Sequence, residues 1–237
     1  MICSRRHALP LFIAAMALPH PAGAQEIGAG LLAVPGHQGS DRMRIIPIPL
    51  IDATAGPFFL NTTDGAGVQI RQGAATLGLS ATYLIGYSQR DLRDGTGRVS
   101  DALGVRAFAR MTIGPAVIGG QMTQAVAGGT GGATGEASIT FPIMLTPELA
   151  LAPGIAVGWA DRRHNERYFN PAGSGDYTAR AGFKDVTASV TGRYRAGERI
   201  TLTATAGASR LLPVVAEAPI VRQRTNASGM IGMSYRF

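Results

Sequence analysis

The chain has 237 residues, 22 of them Lys or Arg against 15 Asp or Glu, and a net charge of +7. Such a balance raises nucleic acid or an anionic surface as partners. No basic run is interleaved with aromatics, as a single-strand binder needs, so nucleic acid is set aside.

In chain order, residues 1–24 read as a secretory signal peptide. Arg5 and Arg6 form a basic start, residues 8–18 an apolar run broken by Pro10, and Ala22-Gly23-Ala24 a small-residue cleavage site. Cleavage between Ala24 and Gln25 would leave 20 basic residues against 15 acidic ones and remove Cys3, the only cysteine. An exported chain without disulfides must be stabilised by its size and packing. Beyond residue 24 no run approaches the roughly 18 apolar residues of a membrane helix.

Twelve segments of strand character follow, at 27–34, 43–52, 56–61, 66–71, 76–87, 103–112, 116–126, 135–145, 149–161, 183–195, 199–211 and 226–237. The fifth shows the pattern: Leu77, Leu79, Ala81, Tyr83, Ile85 and Tyr87 share one face, and Thr76, Gly78, Ser80 and Thr82 the other. Pro47 and Pro49 in the second segment remove ladder donors and predict irregular or bulged pairing there. If that segment and its neighbour are not full strands, the count falls to ten.

Connections alternate in length. Turns at 53–55, 72–75, 113–115, 146–148 and 196–198 are short, and loops at 35–42, 88–102, 127–134, 162–182 and 212–225 are longer, with 62–65 the exception. Sorting of short turns to one rim and long loops to the other belongs to transmembrane barrels. The expected fold is therefore all-β, a single transmembrane antiparallel up-and-down barrel of twelve strands over 25–237, in the outer membrane of a Gram-negative cell. Tyr87 and Trp159 are expected in an outer aromatic girdle, and Tyr194, Tyr235 and Phe237 in an inner one. The last segment alternates Ile231, Met233, Tyr235 and Phe237 against small or polar residues and stops on an aromatic. Tyr235 and Phe237 are thus the expected assembly signal, read by the barrel assembly machinery, with membrane lipid as the other partner.

No chemistry-bearing motif stands out. His37 and His164, both in loops, have no cysteine or ligand spacing around them, so no metal is expected and both read as solvated. Gly28-Ala29-Gly30 precedes no helix, and the glycine-rich 128–135 segment lacks the Gly-Lys-Ser/Thr ending of a phosphate loop and reads as flexible. No G-x-S-x-G elbow occurs. No catalytic residue, no cofactor and no enzyme are expected. One constellation remains, the inward Arg106, Arg110, Arg193 and Arg195. It could bias a lumen towards anions, or it could pair with inward carboxylates and fill a narrow barrel.

Several stretches resemble the MipA/OmpV family of outer-membrane proteins, founded on the MltA-interacting protein. They include Pro47-Ile48-Pro49, Phe58-Phe59-Leu60, Trp159-Ala160-Asp161, Tyr168-Phe169 and Gly182-Phe183-Lys184-Asp185. Their order and spacing carry the likeness over most of residues 25–237. Departures are His37 in place of tyrosine, Arg162 in place of a second aspartate, and Asn170 in place of glycine. The resemblance implies a non-enzymatic scaffold of the cell envelope, joining a lytic murein transglycosylase to a penicillin-binding murein synthase. A small-solute channel or uptake porin and a surface adhesin are the other roles it implies.

Overall fold

A computed structural model describes residues 25–92, 97–173 and 177–237; the signal peptide expected at 1–24 lies outside them. The strands are β1 (Glu26–Pro35), β2 (Met43–Ala55), β3 (Phe58–Asn61), β4 (Gly65–Gln72), β5 (Ala75–Leu84), β6 (Ala102–Ile113), β7 (Ala116–Gly128), β8 (Ala133–Thr140), β9 (Ile143–Met144), β10 (Leu149–Ala160), β11 (Gly182–Arg195), β12 (Ile200–Leu211) and β13 (Thr225–Arg236). All pairings are antiparallel, and all but β8 and β9 pair with their chain neighbours. β13 returns to β1 through Ile27↔Tyr235 and Ala29↔Met233, and β10 pairs with β11, so the sheet closes on itself. β8 and β9 are two parts of one wall strand, both paired with β10 and separated by Phe141-Pro142. The wall is therefore a closed barrel of twelve strands.

The period-2 alternation has the expected physical meaning. Outward positions carry exposed apolar side chains such as Ile27, Leu31, Leu77, Leu79 and Ile231. In water this continuous apolar surface would be an aggregation hazard; around a barrel it is the lipid-facing band. Inward positions carry small or polar groups, and close backbone approach dictates some of them. A Cβ on Gly28 would lie 2.0 Å from the Met233 carbonyl oxygen, so the seam between β1 and β13 tolerates only glycine there.

The prolines do not disturb the pairing as expected. β2 keeps an unbroken register with β1 from Glu26↔Asp52 to Pro35↔Met43. Its other edge explains the prolines. The Ile51 N–H points away from β1 and donates to Thr62 Oγ1 at 2.8 Å, and Pro47 and Pro49 share its parity. β3 pairs only with residues 52–55 of β2, so among the described residues no strand pairs with the edge of β2 above that point. Proline is tolerated on such an edge because it has no N–H to leave unpaired.

Two further corrections concern the outer rim. β5 stops at Leu84, and the chain bends inward at Gly86, where a Cβ would sit 1.9 Å from the Val99 carbonyl oxygen. Tyr87 therefore leaves the girdle and is buried, at 2% exposure, in the loops above the barrel. Tyr83 and Phe183 are the exposed aromatics near that rim instead. The expected polar loop at 162–182 opens with a helix, α1 (Arg162–Phe169), whose N-terminus is capped by Asp161 accepting from the His164 N–H at 2.6 Å.

Candidate functional site: the lumen and its outer lid

The described parts of the long outer loops fold over the barrel mouth. Tyr87, Leu92 and Val99 from the β5–β6 connection meet Tyr168 and Phe169 of α1 in one buried cluster. Val215 of a second short helix, α2 (Pro213–Ala216), joins them. Tyr168 packs edge-on against Tyr87 and Phe169 at 5.1 and 4.9 Å and stacks on His164 at 5.3 Å, the geometries aromatic pairs prefer. The Tyr87 hydroxyl donates to the Tyr168 carbonyl, the Tyr168 hydroxyl accepts from the Gln38 N–H at 3.2 Å, and burial pushes both phenols well above their usual range.

Polar ties bind the remaining loops to this cluster. The Gly39 N–H donates to Asn226 Oδ1 at 2.9 Å, and Asn226 Nδ2 donates to the Ser40 carbonyl at 2.8 Å. Lys184, fully buried, pairs with Asp185 and donates to Gln38 Oε1 at 3.2 Å. Thr130 of the glycine-rich loop is buried against His164 Nδ1 at 3.1 Å, so that loop is a packed part of the lid. The histidines expected in solvent are both buried, because the loops that carry them fold inward. Burial, with the Lys184 charge beside it, pulls His164 down to about 3, and burial also lowers His37.

Below the lid, charge is ordered around the inward arginines. The β3–β4 turn ends inside the barrel, where the Asn61 side-chain oxygen accepts from the N–H groups of Thr63 and Asp64 at 3.0 and 2.6 Å. This places Asp64 Oδ1 2.7 Å from Arg110 Nη2 and 3.6 Å from Arg106 Nη1. Arg106 also donates to the Thr63 carbonyl at 2.7 Å and to Thr123 Oγ1 at 3.0 Å. The Arg110 guanidinium lies 4.4 Å above the Phe108 ring. Across the lumen, Glu26 accepts from Arg193 at 3.0 and 3.1 Å, from Arg236 at 3.0 Å and from Ser234 at 2.9 Å, tying β11 and β13 to β1. Arg195 is exposed at the periplasmic rim and donates to the Pro147 carbonyl. Asp64 and Glu26 are the carboxylates that sequence reasoning missed. Asn61 before Thr62-Thr63-Asp64 was the available signal, because asparagine caps such a turn.

Between these groups lies a cavity of about 620 Å³. Its lining runs from Asp64 and Met230 at mid-height to Ala74 and Gly114-Pro115 in the periplasmic turns. No group of three or more His, Cys, Asp or Glu placed to hold a metal ion occurs among the described residues. Tyr235 and Phe237 end the last strand at the lower rim, with rings 5.1 Å apart, and the Phe237 N–H donates to the Gln25 carbonyl at 3.1 Å.

With this geometry the known relatives can be placed. The family model described as MltA-interacting protein MipA matches residues 27–237. The chain belongs to that family. As a MipA-family barrel it is an outer-membrane protein, and the short-turn rim faces the periplasm. A solved structure shares the barrel architecture. The COG4313 outer membrane channel from Pseudomonas putida F1 superposes with a TM-score of 0.51 at 13% identity, covering 93% of this chain and 97% of that one. The outer membrane channel DcaP of Acinetobacter baumannii gives a TM-score of 0.42 at 9% identity, covering 93% and 99%. No curated protein matches the sequence.

Proposed function

We propose that this protein is a non-enzymatic structural component of the envelope that docks a lytic murein transglycosylase at its periplasmic end. Through that enzyme it also holds a penicillin-binding murein synthase. The asymmetry of the two ends carries the reading. The outer loops spend their apolar and polar groups on one another, whereas the lower end presents an open lumen and short turns to the space where murein lies. The family description, MltA-interacting protein, supports the class of partner. An adhesin is disfavoured, since Tyr168 and Phe169 of the longest loop are buried in the lid. Affinity capture from detergent-solubilised envelopes, with the full chain as bait, tests the proposal. Recovery of a lytic transglycosylase is expected; recovery of no murein enzyme would overturn it. The cavity favours a second reading, passage of small molecules.

A further inference from the structure

Among the described residues, one stretch of barrel wall has no paired neighbour strand. At its base the β3–β4 hairpin separates β2 from β5 by three inter-strand spacings, roughly 14 Å along the wall. The hairpin ends at Thr62–Asp64, and β4 reaches only Ala81 of β5. Above it a wedge lies between Met43–Leu50 of β2 and Tyr83–Leu84 of β5. It is bridged near its top by Ile85, which packs on the buried Leu32–Val34 pair, and by the ion pair Arg44–Asp91 at 3.6 Å.

We propose that this wedge is a lateral portal through which a small, uncharged, apolar molecule passes between the outer leaflet and the lumen. Three observations converge on it. From Pro47 to Ile51 the exposed edge is prepared for hydrocarbon, where an unpaired N–H is heavily penalised. Pro47 and Pro49 have no N–H to offer, the Ile51 N–H is taken by the Thr62 hydroxyl, and that hydroxyl donates to the Pro49 carbonyl at 3.0 Å. Next, the inward face of β2 beside the wedge is apolar. Ile46 and Ile48 pack with Met230 against Leu32 and Val34, and Leu50 lines the cavity below. The inward positions of β6 alternate Arg106, Phe108 and Arg110 instead, and a water-filled lumen gives no reason for three successive inward positions of one strand to be apolar. Finally, the lid closes the outer mouth while the cavity, lined by Ile48, Leu50 and Met230, runs to the periplasmic turns. A molecule entering from the outer leaflet would thus meet Ile46, Ile48 and Leu50 before it reached the cavity. The charges at the top and floor of the wedge are paired, Arg44 with Asp91 and Arg110 with Asp64, which selects for a neutral passenger. The cavity volume lies within the ~300–1,000 Å³ typical of small-molecule sites.

The test uses the full chain in vesicles of phosphatidylcholine and lipopolysaccharide, with a diazirine-bearing dodecane dissolved in the bilayer. After photolysis, adducts are mapped by mass spectrometry. Adducts on inward Ile48, Leu50 and Met230 are expected beside those on outward Ile45 and Ile70. A charge in the portal disfavours an apolar passenger, so Ile48→Arg is expected to lower Met230 adducts about tenfold and leave Ile45 and Ile70 unchanged. Should that variant fail to migrate as a folded, heat-modifiable barrel, Ile48→Asn serves the same purpose. Wild-type adducts confined to outward residues would overturn the portal. So would Met230 adducts that persist at full level in the folded variant, because the probe would then be entering from the periplasmic mouth.

Discussion

Asp64 is the residue on which the lumen's charge balance turns. Two guanidinium groups share its carboxylate, whose side chain is only 5% exposed. Removing one partner of a buried pair costs more than the pair contributes, because the remaining charge stays desolvated. Asp64→Asn should lower stability by about 3 kcal/mol, read as a reduced urea midpoint for loss of heat-modifiable migration. A midpoint within error of wild type would show that Arg106 and Arg110 are held by Thr63, Thr123 and Phe108 alone. His164 sets a second residue-scale expectation. Its pKa is lower folded, at about 3, than the 6.5 of an unperturbed histidine. Between those values the unfolded lid binds more protons, so the stabilisation is complete above about pH 6.5 and is lost as pH falls towards 3. His37, shifted the same way, adds to the effect. Protease cleavage within 161–181 should therefore rise on acidification and should depend less on pH in His164→Gln.

At the scale of elements, β13 ends the barrel where the aromatic pair of the lower rim forms. Phe237 is 78% exposed and contributes little burial; as the expected assembly signal it would act by being recognised rather than through folding energy. Deleting it should reduce outer-membrane levels several-fold while export continues, seen as periplasmic accumulation of the chain; normal membrane levels would refute the role. The strands themselves were legible because lipid on one side and lumen on the other impose a strict two-residue alternation. The lid was not, because its order comes from contacts distant in sequence. Arg162 to Arg167 is polar throughout, and only the Asp161 cap hinted at a helix, while Tyr168 finds Tyr87 81 positions away. The prolines of β2 were read correctly as missing donors, yet their meaning depended on how short β3 is. Nothing local in Phe58–Asn61 announces that length. For the arginines, parity along each strand placed Arg106, Arg110 and Arg193 inward, but the carboxylates opposite them come from β1 and a turn that sequence spacing does not connect.

For the whole molecule, the outer lid and the open lower mouth act in opposite directions on transport. Ions cannot cross hydrocarbon, so a lateral route for apolar molecules carries no current, and an aqueous route must pass the lid. That lid is a dry cluster around Tyr168, Phe169 and Val215, each at most 1% exposed. Beneath it Arg106, Arg110 and Arg193 are paired with carboxylates. Planar bilayers containing the intact protein should therefore show no steady ion-selective conductance at neutral pH. Removing residues 162–181 takes away α1 and with it the partners of Tyr87, Thr130 and Gln38. That variant should acquire frequent open-channel steps while still migrating as a heat-modifiable barrel. A steady conductance in the intact protein would show that the lid opens spontaneously and that water crosses the outer rim. Silence in both proteins would place the barrier lower, at the Arg106–Asp64–Arg110 bridge, and Asp64→Asn in the loop-deleted background would then decide which layer seals the barrel.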